Sequence, residues 1–80
     1  MEYNDIYSKA KELIVDYLRV DEKEVSLDTD LVDDLFADSI ALVELGFRFS
    51  ETFSVPMIEA RPELFIVKNI VQHLYEKMHN

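Results

Sequence analysis

Between Ile40 and Phe53 apolar residues recur at helical spacing, with one Gly and no Pro inside the run. At about 100° per residue, Leu42, Leu45, Phe49 and Phe53 fall in one narrow sector. Ile40, Val43 and Phe47 fall in another, with Glu44 and Glu51 along its edge. A helix with two apolar sectors carries more hydrophobic surface than one core needs. The first sector is expected to face the core. The second reads in two ways, as further core or as an exposed docking strip.

Asp38-Ser39 stands immediately before this run, after the acidic approach Asp33-Asp34-Leu35-Phe36-Ala37. Either short oxygen-bearing side chain can cap the helix by accepting a hydrogen bond from an unpaired backbone N–H. On its own the pair reads as an ordinary cap. A helix N-terminus also offers partial positive charge and free N–H donors, so a phosphate placed there is favoured. Ser39 is therefore well placed to bear a phosphodiester.

The rest of the chain points to an all-α fold. Ile6, Ala10, Leu13, Ile14 and Tyr17 predict a helix from Asn4, a candidate cap, to Leu18. From Val20 to Phe36 the periodicity fails and Asp and Glu take over. So long a loop is unusual in a small domain, but Val25, Leu27, Leu31 and Leu35 are spaced to pin it against the core. Pro56 and Pro62 suit helix starts, predicting a short third helix at Met57-Ile58-Glu59 and a last one carrying Leu64, Val67, Ile70, Val71, Leu74, Tyr75 and Met78. The expected architecture is a small antiparallel four-helix bundle with a long first loop, one domain over residues 1–80.

Composition agrees. One Gly and two Pro in 80 residues are too few for a turn-rich β fold. Seventeen acidic against eight basic residues leave a net charge of −9, the wrong sign for neutralising nucleic-acid phosphates. Partners with basic patches are expected instead, met in a salt-sensitive encounter. Without Cys there is no disulfide framework and no thiolate metal site. No apolar run approaches the roughly 20 residues of a membrane span, and no basic-then-apolar leader opens the chain. A cytoplasmic monomer is the expectation.

The string from Asp30 to Leu45, Asp-Leu-Val-Asp-Asp-Leu-Phe-Ala-Asp-Ser-Ile-Ala-Leu-Val-Glu-Leu, resembles the central segment of acyl carrier proteins. That family's pattern is Asp-Leu, Gly, a variable residue, then Asp-Ser-Leu and an apolar–acidic helix. Phe36 stands where Gly is usual and Ile40 where Leu is usual. The resemblance implies that Ser39 carries 4′-phosphopantetheine, moved from coenzyme A by a phosphopantetheinyl transferase. The arm's thiol then holds acyl groups as thioesters for fatty-acid, lipid or polyketide-type biosynthesis. The chain itself is no enzyme.

The resemblance further implies that the second helix meets partners through Asp38, Ile40, Val43, Glu44, Phe47, Arg48 and Glu51. Those partners would be the transferase and enzymes of the acyl-carrier synthetase, ketosynthase or acyltransferase type, with basic docking patches. Arg48 does not match the family's acidic pattern, and Ser50 stands where another acid is often found. Ile66 replaces a Thr that usually caps the last helix, which with Pro62 predicts an earlier start that fuses with or crowds the short third helix. Leu42, Leu45, Gly46 and Phe49 are the candidates to line an acyl pocket. Gly46, mid-helix, costs about 0.5–1 kcal/mol relative to Ala. Close approach of a neighbouring segment, or room for an acyl chain, would offset it. The departures at Phe36, Gly46, Arg48 and Ile66 point to a specialised carrier.

Two alternatives remain: an aminoacyl or peptidyl carrier, and an unmodified helical interaction module. Catalysis by the chain itself has little to draw on, because His73 and His79 lie far along the sequence from Ser39 and are expected to be solvated. Asp33, Asp34 and Asp38 lack the spacing and Gly of a calcium loop, so no dedicated metal site is expected.

Overall fold

In the computed structural model, which describes residues 2–59 and 61–79, the predicted apolar periodicities become three α-helices. They are α1 (Tyr3–Leu18), α2 (Ser39–Phe53) and α3 (Val67–Met78), with short 3-10 turns at Glu22–Glu24 and Pro62–Phe65. The helix α1 buries Ile6, Ala10 and Ile14 and packs on both other helices. From α2 come Leu45, Phe49 and Phe53, and from α3 Val67, Ile70, Val71 and Leu74, all in one hydrophobic cluster. No helix among the described residues is long and apolar enough to cross a membrane.

The long loop is part of that cluster. Val25, Leu31 and Leu35 are buried in it, while Leu27 is only half-buried. Thr29 is buried too; its hydroxyl accepts from the Ser26 N–H (2.8 Å) and donates to the Glu24 carbonyl (3.2 Å). Asp21 and Glu24 close a reciprocal capping box around the first 3-10 turn. Loop acids that look like a solvated charge run in the sequence thus accept backbone hydrogen bonds.

Several expectations are corrected. Asn4 is not the cap of α1: the helix begins one residue earlier, and Glu2 precedes it without a side-chain cap. Three α-helices are present among the described residues, not four. Met57-Ile58-Glu59 has no regular secondary structure. Pro62 holds Arg61 extended (φ −112°, ψ 145°), leaving too few residues after Pro56 to nucleate a helix. The last helix does not start early or fuse with its predecessor. Pro62 does open a 3-10 turn, but Ile66 is extended (φ −87°, ψ 128°), and α3 starts after it.

With no capping side chain at Ile66, the first donors of α3 turn to the long loop. Val67 N–H donates to the Thr29 carbonyl and Lys68 N–H to the Leu27 carbonyl, both at 2.9 Å. Leu31 N–H donates in return to the Phe65 carbonyl at 2.8 Å. The orphan N–H groups at a helix start must go somewhere, and here the loop backbone replaces the missing Thr.

Candidate functional site

Ser39 is delivered by a tight turn built from Asp30 to Ala37. Asp30 Oδ1 accepts from Val32 N–H (2.8 Å) and Asp33 N–H (2.9 Å), and Asp34 Oδ2 accepts from Asp30 N–H (2.8 Å). The turn closes with Phe36 N–H on the Val32 carbonyl (3.1 Å) and Ala37 N–H on the Leu31 carbonyl (2.9 Å). The turn ends on a left-handed residue, a place that usually takes Gly. Phe36 fills that place at φ 59°, where an L-residue costs about 1–2 kcal/mol. Its ring is 86% exposed. The departure from Gly therefore leaves a strained, exposed aromatic just before Ser39. The sequence marks Phe36 as a departure at a Gly position pointing to a specialised carrier, without placing it among the recognition residues.

Asp38 settles which side chain caps α2. Its backbone is extended and its Oδ1 accepts from Ala41 N–H at 2.8 Å. Ser39 is the first helical residue; its side chain is exposed and makes no hydrogen bond among the described residues. Asp38→Ala is expected to lower stability by about 1 kcal/mol, while Asp38→Asn keeps most of it, because Asn caps as well as Asp. Urea midpoints at constant slope check this.

The second apolar sector of α2 is exposed. Ile40 is 73%, Val43 54% and Phe47 50% accessible, with Glu44 and Glu51 exposed beside them. Ser39, Ile40, Val43 and Glu44 line a shallow depression. Tyr17, Leu18, Phe36, Asp38 and Ile40 line another on the α1 side. Arg48 is turned toward α1, its guanidinium 4.9 Å above the Tyr17 ring, a cation–π contact that diverts it from the strip. Ser50 ties off the helix end instead of offering a charge: its hydroxyl donates to the Val55 carbonyl at 2.6 Å.

The phosphopantetheine attachment site family matches residues 8–61. An acyl carrier protein of Petrotoga mobilis is 43% identical over 79 residues, covering 98% of this chain and 93% of the relative. Those of Thermotoga maritima (39% over 75 residues, 92% and 93% covered) and Clostridium acetobutylicum (34% over 58, 72% and 75%) are also similar. The chain belongs to the acyl carrier protein family. Its prosthetic group is covalent 4′-phosphopantetheine, and it is a carrier, not an enzyme.

Among the acyl-pocket candidates of this carrier, Leu45, Gly46 and Phe49 are buried and Leu42 is half-buried. All four line one small cavity with Leu31, Ile58, Leu64 and Ile70. Its volume is about 20 Å³, space for one water and not for an acyl chain. A Cβ on Gly46 would stand 3.0 Å from the Ile58 carbonyl oxygen. Close approach of the segment after Pro56 therefore accounts for the glycine.

His73 and His79 both belong to the C-terminal end, on α3 and at its cap. His73 is half-buried, and the His79 ring lies against Tyr75 with centroids 4.3 Å apart and planes tilted by 38°. Burial, then the charges of Lys77 and Arg61, hold His73 below the ordinary imidazole value, with Glu76 opposing. The folded state thus resists a proton that the unfolded chain accepts near pH 6.5. This contribution is whole above that pH and is lost as pH falls from there through the folded value. His73→Gln is expected to flatten the pH dependence of the urea midpoint between about pH 7.5 and 5.5. Asp34 and Asp38 already accept backbone N–H groups, and no cluster of three metal-ligating side chains occurs among the described residues.

Proposed function

We propose that Ser39 is the attachment residue and that this chain carries acyl groups for cytoplasmic biosynthesis of the fatty-acid, lipid or polyketide type, as a specialised carrier. The observation that carries this reading is the state of Ser39. It is a solvent-facing hydroxyl, free of intramolecular hydrogen bonds among the described residues, on the first residue of a helix already capped by Asp38. Shallow depressions flank it and no side chain covers it, so its surroundings fit a phosphodiester-linked arm. In the attachment, Ser39 Oγ bonds to the pantetheine-side phosphorus of coenzyme A, its proton passes to a base of the transferase, and 3′,5′-ADP leaves. When bound, the arm supplies the thiol on which acyl groups ride as thioesters.

The protein's own residues position and address. Asp38 holds the α2 N-terminus, whose remaining free N–H groups favour a phosphate at Ser39. Ile40, Val43 and Phe47, edged by Glu44 and Glu51, offer an apolar strip with a negative border to enzymes with basic patches. Such complementarity tunes on-rate and specificity more than affinity, as a carrier that changes partners requires. The names of the relatives favour acyl over aminoacyl cargo. The test is intact mass after incubation with coenzyme A and a broad-specificity phosphopantetheinyl transferase. A gain of one phosphopantetheinyl unit is expected; no gain here, together with no arm on protein from its native host, overturns the reading.

A further inference from the structure

We infer that Phe36 is a docking anchor for the transferase that modifies Ser39, received in an apolar recess edged by Lys or Arg, an inference that rests on the carrier reading of Ser39. Phe36 carries two separate costs, a left-handed backbone at φ 59° and a large apolar ring 86% exposed. Gly would remove both. The hydrogen bonds that hold the turn run through backbone groups and the Asp30 and Asp34 side chains and would serve Gly equally, while the ring has no aromatic or cation–π partner among the described residues. Arg19 and Ser54 are also left-handed but only end helices, whereas Phe36 joins that strain to an exposed apolar ring, a combination found at functional positions.

The position identifies the occupant. Phe36 and Ile40 stand on either side of Ser39 in the sequence and line one depression with Tyr17 and Leu18. An enzyme that forms a bond at the Ser39 hydroxyl must bring its active site to that atom and cover these neighbours. Enzymes acting at the distant thiol of the arm have no such need. Asp38 lines that depression with Phe36, and Asp33 and Asp34 stand three and two residues before Phe36 in the sequence. All three are exposed and belong to no ion pair among the described residues, whose pairs are Lys9–Glu12, Arg61–Glu63 and Lys68–Asp28. An exposed aromatic in an acidic stretch without ion pairs calls for an apolar recess with a basic edge.

The experiment compares wild type, Phe36→Gly, Phe36→Ala and Phe36→Tyr as substrates of the native host's own phosphopantetheinyl transferase, with loading followed by mass. Both truncations are expected to raise KM about 30-fold, as loss of a central aromatic anchor does, with kcat retained and Tyr close to wild type. Phe36→Gly should melt no lower than wild type, since Gly suits the turn, and so excludes misfolding as the cause. Unchanged KM in both truncations overturns the proposal while leaving Ser39 as the attachment residue. A defect in Ala but not Gly also overturns it, by assigning the effect to the backbone. Failure of wild type to be loaded removes the carrier reading and this proposal together.

Discussion

Ser39→Ala is expected to take up no phosphopantetheine under conditions in which wild type is converted fully. The loss is total because the hydroxyl oxygen is the atom that bonds to phosphorus, and Ala supplies none. The structure makes this result readable as chemistry. Ser39 does not cap α2, since Asp38 Oδ1 takes the Ala41 N–H, and the Ser39 side chain makes no hydrogen bond among the described residues. Stability should therefore change by no more than about 0.5 kcal/mol, the usual range for an exposed site without special contacts. Mass spectrometry and a urea titration of the same sample check both halves. A mass gain in Ser39→Ala equal to wild type would place the arm elsewhere. An unmodified interaction module would keep its biological function in this variant, whereas a carrier loses all of it.

Leu31→Ala is expected to destabilise the fold by about 2–5 kcal/mol, although Leu31 lies outside every helix. The side chain is 2% exposed and borders the cavity beside Leu45 and Phe49, so truncation enlarges an existing void. A domain of this size has only about 5–15 kcal/mol in total, and a loss on that scale approaches unfolding. The urea midpoint should fall sharply with an unchanged slope, as a two-state change in stability requires. A shift below about 0.5 kcal/mol would match an exposed residue and would remove the loop from the core.

The parts of the fold legible in the sequence are those written as periodicity. Ile6, Ala10 and Ile14 announce α1, and Leu42, Leu45, Phe49 and Phe53 announce the core sector of α2, whereas its second sector stays open between core and surface until the fold exposes Ile40, Val43 and Phe47. Family resemblance singled out Ser39 and gave the prosthetic group. What stayed hidden depends on contacts between distant segments. No pattern reveals that the Leu27 and Thr29 carbonyls replace a missing cap at Ile66, so the start of the last helix was misplaced. Met57-Ile58-Glu59 looked like a helix because Pro56 suits a first turn, but Pro62 closes the segment too soon. Arg48 looked like a partner residue, and its engagement with Tyr17 is invisible without the packing of α1 on α2. Gly46 was recognised as costly, yet only the Ile58 carbonyl oxygen shows what it accommodates.

The hydrogen bonds that join the loop to the start of α3 bear on how the molecule assembles. A helix as short as α3 is marginal alone in water, because its first turn must be fixed before any propagation rewards it. Its first two N–H groups find acceptors only after the chain has closed a span that includes the whole of α2, an entropic cost met before the contacts return anything. Docking of the loop and formation of the last helix are thus one cooperative event. A chain emerging from the ribosome can wind α1 and α2 from local contacts, but it completes its core only when the residues of α3 arrive.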